Sequence, residues 1–218
     1  FRYCLWLKDC SPSEIRSVPE VVNRLYLVKQ SRLKSPKAAT RKWADRPFLF
    51  TEDRQPDSDF LFLPVVSSEK RRYMPIGYLS EDIIANTNVQ MIPNADLFAF
   101  GILNSNVHNS WMRAICGRMK SDYAYSASIV YNNFPWPTPT TAQKEYIEKT
   151  AKEILDARSL YPDSSLADLY NELTMPPELR KAHQENDKAV MEAFKFNWRT
   201  MTESECVIEL MKMYQKLT

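Results

Sequence analysis

The chain has 218 residues, 44% hydrophobic and 26% charged, which fits one or two globular domains with a real core. Three glycines rule out a Gly-rich phosphate loop, and four scattered cysteines with two histidines leave almost no ligand set for zinc. Residues 1–137 hold 18 Lys and Arg against 13 Asp and Glu, a balance of +5, and residues 138–218 hold 11 against 14, a balance of −3, so only the first part suits a polyanion, unless its charge is simply a solvated surface.

In chain order, residues 2–7 read as a strand from their aromatic and apolar content. Ser11-Pro12-Ser13-Glu14 is a capping box with Pro at the first helical position, and Ser17-Val18-Pro19-Glu20 repeats it. Val21, Leu25 and Val28 fall at i, i+4 and i+7 and predict one buried stripe; Arg24, Lys29 and Arg32 lie on the other faces. Ser35-Pro36 opens a third helix with Lys37, Arg41 and Lys42. Residues 19–42 thus form a basic helical arm, either a phosphate contact or a solvated face.

Between residues 47 and 92 the period changes. Residues 48–50, 60–66, 73–79 and 88–92 are short apolar runs between polar clusters, a meander of strands. Pro64 and Pro75 point to edges or bulges, because proline cannot donate to a ladder. Lys70-Arg71-Arg72 forms a basic hairpin tip, suited to phosphate or to solubilising an edge. Asn94 is placed to cap a helix over Leu97, Phe98, Phe100, Ile102 and Leu103, and Asn104-Ser105-Asn106 breaks and restarts it. Val107, Trp111, Met112 and Ile115 form the next stripe, with His108 beside it as a structural residue and Arg113 and Arg118 off the apolar face.

The stretch densest in groups able to read a polar surface follows: Gly117-Arg118-Met119-Lys120-Ser121-Asp122-Tyr123-Ala124-Tyr125-Ser126, running on to Tyr131-Asn132-Asn133-Phe134-Pro135-Trp136-Pro137. Beyond Pro137 the texture is helical. Thr140 to Gln143 caps a long helix carrying Tyr146, Ile147, Ile154 and Leu155, which ends at Tyr161-Pro162-Asp163. A short helix lies near Leu166 to Tyr170, and Pro176-Pro177 opens another with Leu179, Ala182, Ala189, Val190 and Phe194. Thr202 to Glu205 caps a last one with Val207, Ile208, Met211 and Tyr214. An antiparallel helical bundle is expected, its charges on solvated faces and no site within it.

No catalytic set assembles. His108 and His183 each sit alone in a helical pattern, and Asp57/Asp59 and Glu81/Asp82 fall in polar turns. The stretch from Tyr131 to Pro137 does not match the Asn-Pro-Pro-Tyr loop of amino-group methyltransferases, because its order is wrong. Four free thiols fit a reducing cytoplasm, and no apolar run approaches the roughly 18–20 residues of a membrane span. The first residue is not Met and stands inside an apolar run, so the chain reads as part of a longer polypeptide.

A recognition surface fits better. Lys120 and Asp122, two apart, share one face of an extended segment. A lysine donates to guanine's two major-groove acceptors, and an aspartate accepts from the amine of the paired cytosine. The two together match one G·C pair, each good contact worth about 1–3 kcal/mol of discrimination. The alternative is a surface ion pair worth about 0–1 kcal/mol.

Three stretches carry a family resemblance: Pro64 to Gly77, Cys116 to Tyr123, and Ile129 to Pro137. It continues through Ile154 to Arg158, Tyr161 to Tyr170 and Met175 to His183. The chain resembles the C-terminal part of the MmeI-like (type IIL) DNA methyltransferases and restriction–modification enzymes. The resemblance implies an α+β fold, with a mixed strand-and-helix target-recognition domain over residues 1–137 and an all-α domain over 138–218. It implies a parent that methylates the exocyclic amine of adenine with S-adenosylmethionine, many relatives carrying a nuclease, with no cofactor in this piece. The partners implied are double-stranded DNA and the N-terminal methyltransferase domain of the same polypeptide. It puts base-reading side chains at Lys120 and Asp122 and a further specificity position at Ala124. Arg71, Arg72, Arg113, Arg118, Ser121 and Tyr123 are then expected to touch or position the DNA backbone. The competing expectation is a scaffold domain that packs on the catalytic part and reads no bases.

Overall fold

The computed structural model describes residues 3–217. The fold is α+β, and the chain forms two compact units, Phe1–Arg54 and Gln55–Thr218.

In the first unit, helix α1 (Pro12–Ser17) starts at the expected capping box, with Ser11 and Glu14 each bonding the other's backbone. Helix α2 (Pro19–Leu33) starts one residue later than a Ser17 cap would place it. Its cap is Val18, with no side-chain bond, because Ser17 belongs to α1 and donates to the Glu14 carbonyl. Val21, Leu25 and Val28 are half-covered rather than buried. The third helix, α3 (Ala38–Arg41), begins after Lys37, and Arg41 turns back to the Ser35 and Pro36 carbonyls. Residues 3–7 form no strand, and Arg2 lies outside the described residues. Nor do residues 48–50: Arg32 takes the carbonyls of Trp43, Arg46 and Leu49 at 2.7–2.8 Å, so this backbone is bound by a guanidinium instead of a ladder.

The second unit holds two three-stranded antiparallel sheets. In the first, β1 (Phe60–Pro64) lies between β3 (Gly77–Leu79) and β4 (Val89–Pro93). In the second, β6 (Asp122–Ala124) lies between β2 (Val66–Ser67) and β5 (Gly117–Met119). Val65 joins them, donating to the Asn88 carbonyl and accepting from Tyr125 N–H. Pro64 stands in a central strand, not an edge. It is tolerated because β3 pairs only with Phe60 to Phe62, which leaves one side of Pro64 without a ladder. Pro75 lies outside any strand. Lys70-Arg71-Arg72 is likewise no hairpin tip, since β2 and β3 belong to different sheets and the segment crosses between them.

Helix α4 (Leu97–Asn104) is capped by Asp96, whose side chain accepts from Ala99 N–H; Asn94 instead takes a left-handed turn with φ of 54°. Ser105 caps α5 (Asn106–Ile115), which buries Val107, Trp111 and Met112 as its pattern predicts. A π-helical turn (Ala127–Tyr131) accepts the Trp111 indole N–H at the Val130 carbonyl, 3.0 Å away. Thr140, Ser165 and Thr202 cap α6 (Thr141–Ser159), α7 (Leu166–Leu169) and α9 (Glu203–Gln215), each with a capping box, and α8 (Pro177–Ala193) starts at a proline. Helix α6 packs on both α4 and α8, and α9 packs on α5. One core therefore continues across Pro137. The buried stripe of α9 runs through Cys206 and Leu210, while Ile208 is exposed.

The buried face also holds charge, contrary to the expectation of solvated charges alone. Arg158, on α6, is buried and donates to Tyr170 and to the Ile76 carbonyl. The Tyr170 hydroxyl also shares a 2.6 Å hydrogen bond with His183 Nε2. Asp187 accepts from Tyr73 and Asn106 through three bonds of 2.7 Å. Burial raises its carboxyl to about 6.

Candidate nucleic-acid interface

Strands β5 and β6 form a hairpin with a two-residue loop, Lys120-Ser121, between the paired Met119 and Asp122. So tight a reversal needs positive φ, which Lys120 supplies at 59° without being glycine. Lys120 and Asp122 therefore do not share a face of an extended segment, as their spacing suggests; the first is the turn and the second begins the return strand. Lys120 is exposed, as is every residue of β5, whereas Asp122 is half-buried. Asp122 Oδ1 accepts from Glu69 N–H at 3.3 Å, tying the hairpin to the basic segment that follows β2.

Beneath the loop, Arg118 and Tyr123 face each other across the pair. The Arg118 guanidinium lies 4.0 Å from the Tyr123 ring centre and donates to the Ser121 carbonyl at 2.9 Å. Tyr123 is buried, so its ring supports the turn. Ala124 is half-buried, paired with Gly117 on one side and Val66 on the other.

Arg113 donates to Glu203 at 2.6 Å and to the Arg72 carbonyl at 3.1 Å, so this guanidinium is engaged within the fold. Arg71 is half-buried and Arg72 exposed. Both line a cleft of about 700 Å³ with Lys70, Asp187, Lys188 and Trp198. The aromatic half of the dense stretch is core, not surface. Phe134 is buried against His108, Trp111 and Phe194.

The cleft side chains of α8 escaped the sequence reading. A signal existed: Asp187 stands four residues after His183 and eight after Leu179, on the buried stripe of its helix. A carboxylate there demands partners, but Tyr73 and Asn106 are too distant in sequence to be guessed. Among the described residues no group of three His, Cys, Asp or Glu side chains could hold a metal ion, and no helix is long and apolar enough to cross a membrane.

Residues 1–138 match the family described as MmeI, target recognition domain, and residues 139–218 match MmeI, C-terminal domain. The chain belongs to this MmeI target-recognition family. It is 38% identical over 217 residues to DNA methyltransferase A of Bacillus subtilis (strain 168), covering all of this chain and 24% of that protein. The structure of the Type IIL restriction-modification enzyme MmeI in complex with DNA matches at a TM-score of 0.94 and 46% identity, over 98% of this chain and 28% of that one. The chain thus spans about a quarter of the length of either relative.

Proposed function

We propose that this chain is the DNA-reading module of an adenine-amino DNA methyltransferase of the restriction–modification type, with the β5–β6 hairpin as its reading element. The observation that carries the proposal is the hairpin: an exposed two-residue tip presenting Lys120, with Asp122 beside it and anchored by one oxygen only. A major groove admits a two-stranded ribbon, and its G·C edge offers two acceptors and one donor. Lys120 donates to guanine, and the second oxygen of Asp122 accepts from cytosine N4. Arg71 and Arg72 grip phosphate, and Arg113, Arg118, Ser121 and Tyr123 hold the reading elements in place. Ala124 ends in a methyl group, so it adds no hydrogen bond to a base.

Methyl transfer belongs to the rest of the polypeptide, in a cytoplasmic protein. Similarity to a DNA methyltransferase over the whole length of this chain supports the reading. The test is a charge swap in the full protein, Lys120→Glu with Asp122→Arg, followed by sequencing of methylated adenines. G at one position of the methylated site should become C; an unaltered site would refute the assignment.

A further inference from the structure

We propose that the 700 Å³ cleft beside the hairpin is a seat for DNA backbone phosphate, and that α8 and the turn after it supply one of its walls through Lys188 and Trp198. The inference rests on the reading of the hairpin above.

Charge in the cleft is unbalanced once its internal bonds are counted. Glu203 is paired with the Arg113 guanidinium, whereas Asp187 accepts from the neutral groups of Tyr73 and Asn106, which satisfy its oxygens without a counter-charge. Glu69 and Asp187 remain, against Lys70, Arg71 and Arg72, so the cations still outnumber the carboxylates. Arg71 is half-buried, yet no acceptor for its guanidinium occurs among the described residues. A phosphate meets a guanidinium's fork with two parallel bonds.

On the opposite wall, Lys188 Nζ lies 4.9 Å from the Trp198 ring centre, and the Arg199 guanidinium lies 4.5 Å from it. Lys188 gives one bond to Glu185 at 2.7 Å, and an ammonium carries three donors. The rim is joined to the reading hairpin by the Asp122–Glu69 bond. The proposal puts the phosphates that flank the base read by Lys120 at that rim. An acidic protein segment is the other class of occupant, but it gives no reason for the cleft to adjoin the hairpin.

The experiment measures affinity of the full protein for cognate and scrambled duplexes from 50 to 200 mM salt. Each lost phosphate contact lowers the slope of log affinity against log salt by about 0.9, a roughly 3.5-fold smaller loss over that range. Lys188→Gln and Arg71→Gln should each show this, weakening both duplexes by the same factor, and Lys188→Arg should restore the slope. A Lys188→Gln slope equal to wild type, or a slope that Lys188→Arg fails to restore, overturns the cleft. The swap at Lys120 and Asp122 should change sequence preference and keep the slope, so failure of the hairpin reading shows separately.

Discussion

Arg118 lies directly across the ladder from Tyr123, its guanidinium 4.0 Å from the ring centre, and its N–H closes on the Ser121 carbonyl. The pair is a brace under the loop that carries Lys120. A cation over a tyrosine face at an exposed site is worth about 0.5–1 kcal/mol. Arg118→Ala should therefore lower stability by about that much and blur discrimination at the base pair, with the salt slope of binding unchanged. Affinity titrations at several salt concentrations check this; a slope reduced by about one would instead make Arg118 a phosphate ligand.

Lys120 pays for its position in backbone strain. A non-glycine residue at φ of 59° is disfavoured by roughly 1–2 kcal/mol, and glycine removes that cost while adding about 0.4–1 kcal/mol of chain entropy in the unfolded state. Lys120→Gly should leave the melting temperature equal or slightly raised. It should also remove about 1–3 kcal/mol of preference for G. A marked loss of stability would show that the lysine side chain, not the turn, holds the hairpin.

Gly101 marks the crossing of α4 and α6. A Cβ there would stand 2.7 Å from Ile147 Cγ2, 3.0 Å from Asn186 Oδ1 and 3.2 Å from Ala151 Cβ. Asn186 cannot swing away without losing its bonds to the Gly101 carbonyl and Thr150. Gly101→Ala should destabilise by about 1–3 kcal/mol from overpacking, despite its better helix propensity. Denaturant unfolding measures it.

His108 is buried and neutral: Nδ1 donates to the Leu103 carbonyl and Nε2 accepts from Tyr125. Burial lowers its pKa to about 4 from an ordinary 6.5. The unfolded chain binds this proton below about 6.5, and the folded chain binds it only near 4. The stability is therefore complete above 6.5 and is lost as pH falls through that window. Burial holds His183 well below 6.5 as well, which adds to the loss. Asp187 opposes them: its raised carboxyl, near 6 against an ordinary 3.8, gives stability as pH falls between those values. Unfolding free energy should drop between pH 6.5 and 6 and fall less steeply below. His108→Leu should reduce the slope in this window by up to about 1.36 kcal/mol per pH unit. An unchanged slope would contradict the neutral assignment.

Much of the fold was legible from local chemistry. Capping residues Ser11, Ser105, Thr140 and Thr202 mark helix starts because a side-chain oxygen satisfies a free N–H wherever the chain enters a helix. Strand partnership was not legible. Residues 3–7 and 48–50 have strand composition but no ladder, and Pro64 is central by topology though free on one side by length. Lys120 and Asp122 stood out in the sequence as a donor and an acceptor two residues apart. Their geometry did not, because a two-residue loop without glycine leaves no turn signature in the sequence. Asp187 and its partners were hidden by separations of 81 and 114 residues.

The central claim concerns one atom pair, Lys120 Nζ and a guanine acceptor. The direct measurement replaces each guanine of the methylated site in turn with 7-deazaguanine, which keeps pairing but removes the N7 acceptor, and titrates binding by the full protein and by Lys120→Ala. The account predicts that at one position the replacement weakens the wild-type protein by about 1–3 kcal/mol and leaves Lys120→Ala indifferent. Equal losses in both proteins at every position would contradict it.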